Sequence, residues 1–157
     1  IALALLIESG DIESICRRLL VIACEDIGLA YPQAISIVKS CVDSALMLGL
    51  PEARIPLSQA VIFLSTLPKS NSSYKAINLA LEEIKFRNIE IPNFLCDSNS
   101  NNSINNSQKY LYPHDFQHNY VKQNYMPKGF ENKIYYNYGN NKYENSLKQY
   151  WSKLKDH

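Results

Sequence analysis

The chain has 157 residues, of which 46% are apolar and 20% are charged, and its net charge is +1. This is the size and composition of one globular domain, or of one domain with a long appendage, and it is enough to bury a core. The apolar opening run, residues 1–7, is too short to span a bilayer and lacks the basic flank of a signal peptide, so we expect no membrane partner. Because the chain begins at Ile1, within a helical pattern, we expect it to be an excised fragment of a longer protein.

The cysteines show no CxxC spacing, and most of them fall on apolar stretches with a helical pattern. They are Cys16, Cys24, Cys41 and Cys96. A free cysteine on such a stretch behaves as a small hydrophobic residue, whereas a disulfide framework is typical of small, loop-rich secreted chains. We therefore expect reduced cysteines and a cytoplasmic location.

Stop and start signals divide the first part of the chain into two helices. Gly10 is suited to end the first helix, and Asp11 is suited to cap the second. The second helix has an apolar stripe at helical spacing. This stripe consists of Ile12, Ile15, Leu19 and Ile22. Gly28 then offers a left-handed stop.

Three further helices follow the same pattern. Pro32 is a first-turn proline for the third helix, Gly49 ends that helix, and Pro68 ends the fourth. Ser70 or Asn71 is suited to cap the fifth helix. The apolar stripes of the three helices are Ile35, Val38, Cys41, Val42, Ala45 and Leu48; then Leu57, Ala60, Val61 and Leu64; then Tyr74, Ile77, Leu81 and Ile84.

Short links between these five helices predict antiparallel neighbours, and no segment before residue 88 alternates with a period of two. We therefore predict a mainly α fold, with a compact antiparallel helical bundle over residues 1–88.

Charge and composition change after residue 97. Residues 1–97 carry 8 Lys or Arg against 11 Asp or Glu, a balance of −3. Residues 98–157 carry 8 Lys against 4 acids, a balance of +4, and they hold 9 of the 11 tyrosines. Residues 97–108 are rich in Asn and Ser and have almost nothing to bury, so we expect a flexible loop. Residues 89–157 are therefore predicted to form an irregular, Tyr-rich C-terminal extension.

Two parts of this extension have a recognisable pattern. Residues 133–139 (KIYYNYG) are β-prone and are candidates for a short β hairpin. Residues from about 143 to 155 form an amphipathic pattern that predicts a terminal helix. Its apolar side consists of Leu147, Tyr150, Trp151 and Leu154.

The sequence has none of the motifs that carry catalysis or cofactor binding: GxxxxGK[ST], GxGxxG, HExxH, paired CxxC and GxSxG are absent. His114 and His118 stand four apart, a spacing that suits a metal only on a helix, and Pro113 argues against a helix there. The alternative is that His114 and Asp115 hydrogen-bond each other or the backbone. We predict no catalytic, cofactor-binding or metal-binding residue, and hence no enzyme in this chain.

Glu25 and Asp26 are adjacent at the end of the second helix. Adjacent helical positions point about 100° apart, so the two carboxylates do not face a common substrate. Carboxylates at a helix C-terminus also meet the unfavourable end of the helix dipole. We therefore expect structural ion pairs with Arg17, Arg18 or Arg54, in preference to acid–base catalysis.

Three phrases of the sequence together resemble one known family. They are RRLLVIACEDIGLAYPQA at 17–34, GLPEARIPLSQAVIFLSTLPKSNSSY at 49–74 and YPHD at 112–115. The order EDIG, PKSN, YPHD is similar to the C-terminal region of the RarA/MgsA family of replication-associated, Werner-helicase-interacting-protein-like AAA+ ATPases, which are relatives of the clamp loaders. The resemblance covers most of the chain and implies a helical, clamp-loader collar-like domain followed by a family-specific segment.

The resemblance also implies a role for the whole protein. Members are ATP-driven, and they hold ATP and Mg in an N-terminal portion that this chain lacks, so no catalytic residue carries over. They act at stalled replication forks, which implies association with the nucleoid. They assemble as homotetramers through this region, and the partners implied are DNA and single-stranded-DNA-binding protein.

The chain departs from the family pattern in two places. Residues 98–107 are an uncharged Asn/Ser run where relatives have a basic, glycine-containing stretch, so we do not expect a DNA or partner contact there. His118 and Asn119 stand where relatives often have two glycines, so the turn after YPHD is expected to be built differently.

Two functions of different classes follow. The first is an oligomerisation domain, because the third helix is apolar on more than one face; a monomeric bundle with a well-filled centre is the alternative. The second is binding of single-stranded DNA or of a partner protein by the extension, where lysines interleave with tyrosines.

The PKSN and YPHD turns and their neighbours supply the candidate partner or DNA contacts. These are Lys69, Ser70, Asn71, Tyr74, His114, Asp115, Tyr120 and Lys122. For Ser70 and Asn71, capping of the fifth helix is the favoured alternative.

Overall fold

The computed structural model describes residues 1–85, 87–92, 95 and 110–155. These residues are mainly helical, which confirms the predicted fold class. The helices are α1 (Ala2–Glu8), α2 (Ile12–Ile22), α3 (Ala34–Leu48), α4 (Arg54–Thr66), α5 (Ser72–Ile84) and α6 (Lys142–Lys155). No helix in this part of the chain is both long enough and apolar enough to cross a bilayer.

The chain divides into two compact units. The first contains Ile1–Ala76 and Tyr136–Leu147, and the second contains Ile77–Tyr135 and Lys148–His157. Residues 136–147 thus group with the first helices, although they lie in the extension along the sequence. The predicted boundary at residue 88 remains a prediction, and Cys96 and the loop 97–108 lie outside the described residues.

The core of the first unit lies among α2, α3 and α4. α3 packs along α4, and α2 contacts both helices. Ile27, Val38 and Leu57 are fully buried. Leu3 and Ile7 of α1 pack against this core from its edge. The predicted stripes of α2, α3 and α4 supply most of the core because side chains at helical spacing leave water together.

The predicted cap of α2 is present. The Ser14 N–H donates a hydrogen bond to the Asp11 carboxylate over 3.0 Å. Hydrogen bonds from Ser14, the side chain first and then the backbone, lower the pKa of Asp11. A carboxylate at this position satisfies one of the amides that the first turn of a helix leaves unpaired.

The link between α2 and α3 widens into a π-helical turn, Ala23–Ile27, followed by a 3₁₀ turn, Gly28–Ala30. Gly28 has φ +45° and ψ −128°. A positive φ is rarely adopted by residues with a side chain, and Gly28 ends the π-helical turn with one, as predicted. Its ψ lies outside the left-handed helical region, so the stop is not the left-handed one that was expected.

The stripe on α5 is a correction to the predicted five-helix bundle. Tyr74, Ile77, Leu81 and Ile84 are 45%, 55%, 45% and 52% exposed. The one buried residue of α5 is Ser72. Helical spacing identifies an apolar face but does not specify the surface that it packs against, and here the face stays open.

The described residues of the extension before α6 form no regular helix or strand longer than a 3₁₀ turn. α6 begins at Lys142 and confirms the predicted terminal helix. Residues 133–139 are all described and contain no strand, so the predicted hairpin is not formed. In its place, the hydroxyl of Tyr135 bonds to Glu83 and that of Tyr136 bonds to Glu144. These side-chain anchors hold the segment without a partner strand.

Candidate functional site

The most elaborate polar arrangement of the first unit surrounds the carboxylate of Glu144, which is 0% exposed. Oε1 accepts hydrogen bonds from the Tyr136 hydroxyl (2.7 Å) and from the Gly139 N–H (2.9 Å). Oε2 accepts from the Ser70 hydroxyl (2.5 Å) and from the Asn141 side-chain amide. We call these residues, together with Ser72, whose hydroxyl lies 3.1 Å from that of Ser70, the Glu144 cluster.

The start of α6 explains how Glu144 reaches this position. The Glu144 N–H donates to Asn141 Oδ1 over 3.0 Å, and the Asn145 N–H donates to the Asn141 carbonyl over 3.0 Å. Asn141 is therefore the cap, and Glu144 is the third residue after it, as in a capping box. In a capping box that acidic side chain bonds the cap residue's own N–H, whereas Glu144 bonds Gly139 and Ser70. The local cap thus becomes a long-range anchor.

Two glycines allow the backbone to approach Ser70 this closely. A Cβ at Gly139 would overlap the Glu144 carboxylate and the Ser70 hydroxyl, and a Cβ at Gly28 would overlap the Ser70 carbonyl. The Ser70 N–H also donates to the Asp26 carbonyl over 2.8 Å. The EDIG turn, the PKSN turn and the start of α6 therefore meet at one residue, Ser70.

Burial alone would raise the pKa of Glu144. The hydrogen bonds from the Gly139 N–H and from the Ser70, Ser72 and Tyr136 hydroxyls outweigh burial and lower the pKa to about 2. Burial, and then the hydrogen bond to Glu144, raise the pKa of Tyr136 above its ordinary value. The carboxylate is thus held as an anion and the phenol as its donor.

A carboxylate surrounded by donors and closed to solvent has no access to a substrate. Its chemical role is to hold Ser70, Tyr136 and Gly139 together. Charged hydrogen bonds of this kind are stronger than neutral ones, so the cluster anchors residues 136–147 within the first unit.

The predicted contacts in the PKSN turn separate into two groups. Lys69, Asn71 and Tyr74 are exposed and remain candidate contacts. Ser70 is only 8% exposed and its hydroxyl serves Glu144, so it is closed to a partner. Its oxygen is also 3.5 Å from the Ser72 N–H, which is long for a helix cap.

The predicted contacts near YPHD lie in the second unit. His114 and Asp115 are exposed on a 3₁₀ turn, Pro113–Asp115, with the His114 ring 5.0 Å from that of Tyr112. Their backbone fixes this turn, because the Asp115 N–H donates to the Tyr112 carbonyl over 3.0 Å. In the part of the chain that the structure describes, no group of three or more acidic, His or Cys side chains is placed to hold a metal.

Two residues of the turn after YPHD have the positive φ that glycine favours. His118 and Asn119 have φ of 59° and 52°. Tyr120 and Lys122, which follow this turn, both line one cavity of the second unit. The amide of Gln123 pairs with both backbone groups of Leu111, at 2.9 and 3.1 Å, and so ties the start of YPHD to this segment.

The predicted ion pairs are a correction. Within the described residues the salt bridges are Lys39–Asp43 and Lys133–Glu83, and neither Glu25 nor Asp26 takes part. Both acids belong to the π-helical turn, where Asp26 contributes its backbone carbonyl to Ser70 and leaves its side chain exposed. An exposed ion pair adds little stability, so an arginine beside these carboxylates would stabilise the fold only slightly.

Exposed apolar side chains gather at one corner of the first unit, on the end of α3, the link after it and the start of α4. We call this the α3–α4 corner. Its members are Leu46 (53% exposed), Met47 (86%), Leu48 (55%), Leu50 (42%) and Ile55 (64%). Leu50 and Ile55 also line a groove of roughly 810 Å³ against Leu3 and Ile7 of α1. Clustered apolar exposure of this kind marks interaction surfaces.

The fold and the Glu144 cluster define a helical domain whose C-terminal segment is anchored by a buried carboxylate. The family described as MgsA AAA+ ATPase C terminal matches residues 2–155. The chain therefore belongs to the MgsA AAA+ ATPase C-terminal family.

Three relatives show the extent of the similarity. The chain is 47% identical over 156 residues to "Replication-associated recombination protein A" of Bacillus subtilis, covering 97% of this chain and 37% of that protein. It is 31% identical to the Haemophilus influenzae protein of the same name (97% and 35% covered) and 30% identical to that of Escherichia coli K12 (81% and 29%). The chain thus spans between 29% and 37% of these relatives' length.

The sequence prediction did not include Glu144 among the functional residues. One signal was present, because Asn141-x-x-Glu144 has the spacing of a capping box. That signal predicts a helix start, and it does not reveal that the carboxylate is buried against Ser70.

Proposed function

We propose that this chain is the non-catalytic C-terminal oligomerisation domain of a replication- and recombination-associated AAA+ ATPase that acts at stalled forks. Two observations support the proposal. The family match concerns the C-terminal part of an AAA+ ATPase, and the relatives are named for replication-associated recombination. The α3–α4 corner leaves five large apolar side chains in water.

The single observation that carries the assembly function is this corner. Met47 is 86% exposed and Ile55 is 64% exposed, although each would gain free energy by leaving water. A self-association surface accounts for this exposure, because a stable interface needs more than about 1,000 Å² of buried area and an apolar centre.

In the proposed assembly four copies join as a homotetramer, so that each ATPase portion meets its neighbour. ATP and Mg bind in a portion outside this chain, and hydrolysis takes place there. The proposal places the full-length protein in the cytoplasm, associated with the nucleoid at forks, with DNA and single-stranded-DNA-binding protein as partners.

Paired substitutions test the corner. Met47→Glu places a charge in the proposed interface, and we expect light scattering of the variant to give the mass of one chain, 17.9 kDa. Ile77→Glu is the matched control, because Ile77 is an equally apolar residue, 55% exposed, on α5. Dissociation caused by Ile77→Glu and not by Met47→Glu would move the interface to the α5 stripe and contradict the proposal.

A second candidate function is binding of single-stranded DNA or of a partner protein by the Tyr-rich extension. One observation favours it: Glu144 is the acid of α6 and is buried, so the exposed charges of this helix are all lysines. They are Lys142, Lys148, Lys153 and Lys155. Anisotropy of a labelled single strand tests this function, and binding must weaken with added salt.

A further inference from the structure

A cavity of roughly 450 Å³ lies in the second unit, between the turn after YPHD and the last turn of α6. Its apolar lining comes from Phe116, Tyr120, Val121 and Leu154. This volume is at the small end of ligand pockets, which hold about 300–1,000 Å³. It fits one small ring system and its substituents.

The aromatic wall of this cavity is held in place. Tyr120 is half-buried, and its ring meets the edge of the Trp151 ring at a centroid distance of 6.1 Å. Trp151 in turn meets Tyr150 at 5.8 Å. Leu154, one turn further along α6, is 9% exposed and closes the apolar side. A ring fixed in this way offers a stacking surface at low entropic cost.

The charged lining of the cavity is cationic. Lys122 and Lys155 line it and are both exposed, and His118 also lines it. No acid is among the described residues that line the cavity. An apolar, aromatic wall beside two ammonium groups matches a ligand that combines a flat ring with a phosphate.

We infer that this cavity binds one nucleotide, with the base against Tyr120 and Phe116 and the phosphate at Lys122 and Lys155. This nucleotide is either free in solution or part of a single strand. The inference rests on the second candidate function and names the site through which the extension performs it.

The chain's single tryptophan, Trp151, makes the site visible in the unmodified protein. We expect its fluorescence to change on titration with dTMP or with an oligo(dT) of eight nucleotides, because the ligand contacts the Tyr120 ring that Trp151 touches. A response to dTMP identifies a free nucleotide as sufficient, and a response to the oligonucleotide alone identifies a single strand. Either response supports the site.

Two lysines on one helix give a matched pair of variants. Lys155→Gln removes a lining charge, and Lys153→Gln removes an equal charge about 200° away around α6, outside the lining. We expect Lys155→Gln and Lys122→Gln each to weaken oligonucleotide binding at least about threefold at low salt and to reduce the salt slope by about 0.7. Lys153→Gln is expected to leave both values unchanged.

Three outcomes would overturn the inference. One is the absence of any fluorescence response to either probe. Another is an equal loss of binding in Lys153→Gln, which would indicate diffuse attraction to the lysines of α6. The third is binding of the oligonucleotide that anisotropy detects, but that neither changes Trp151 fluorescence nor depends on Lys122. That result would support the second candidate function and exclude this cavity as its site. The mass measured by light scattering reports separately on assembly.

Discussion

At the scale of single residues, Glu144 joins segments that are far apart in the sequence. Its partner Ser70 lies 74 positions away. Removing the anion leaves the donors Tyr136 and Gly139 without their acceptor in a closed site. Unpaired buried donors are more costly than the loss of an average hydrogen bond.

Glu144→Gln is therefore expected to lower the free energy of unfolding by about 2–3 kcal/mol, because its amide brings a donor where donors already converge. Urea denaturation measures the change. Glu82→Gln, at an exposed acid of α5, is the control and should lie within about 0.5 kcal/mol of the unsubstituted chain. Equal stability of the two variants would show that the cluster adds nothing.

The pH dependence of stability follows from the same group. The pKa of Glu144 is about 2 in the folded chain and 4.5 ordinarily, so the unfolded chain takes up this proton first as the pH falls. Its contribution to the free energy of unfolding is complete above about pH 4.5, declines as the pH falls toward 2, and totals about 3 kcal/mol. Unfolding measured between pH 6 and 2 should show this decline, and Glu144→Gln should flatten it. An unchanged slope in the variant would refute this origin.

At the scale of elements, the junction between the EDIG and PKSN turns depends on Gly28. A side chain there would combine a positive φ with overlap of the Ser70 carbonyl, whereas Gly10 has φ +76° and open space around it. Gly10→Ala therefore carries the cost of the backbone angle alone.

Gly28→Ala is expected to lower the free energy of unfolding by at least about 1 kcal/mol more than Gly10→Ala does. The difference isolates the close approach to Ser70, because both positions have a positive φ. Thermal unfolding of the two variants measures it. Similar melting temperatures for the two variants would contradict the prediction, because they would show that a side chain at position 28 fits beside the Ser70 carbonyl.

How much the sequence predicts also depends on the element. Asp11 capping α2 and Gly28 ending the turn after it are local relations, and both were predictable from neighbouring residues. The exposed stripe of α5 and the burial of Glu144 depend on which surfaces meet, and periodicity has no information on that. The expected pairing of Asp26 with an arginine was wrong, because the Asp26 side chain is exposed and takes part in neither salt bridge of the described residues.

At the scale of the whole molecule, two surfaces differ in their chemistry. The α3–α4 corner is apolar and lies in the first unit, and the cavity beside Tyr120 is aromatic and cationic and lies in the second. We propose different partners for them, a second copy of the chain for the corner and one nucleotide for the cavity. The Glu144 cluster belongs to the first unit and holds residues 136–147 against Ser70 within it.

We propose that this chain assembles with copies of itself. The most direct test is the molar mass of the unsubstituted chain in solution, by light scattering across a dilution series. The proposal predicts a mass near four times 17.9 kDa that falls only on strong dilution. A mass of 17.9 kDa at every concentration would contradict it and would leave ligand binding by the extension as the leading function.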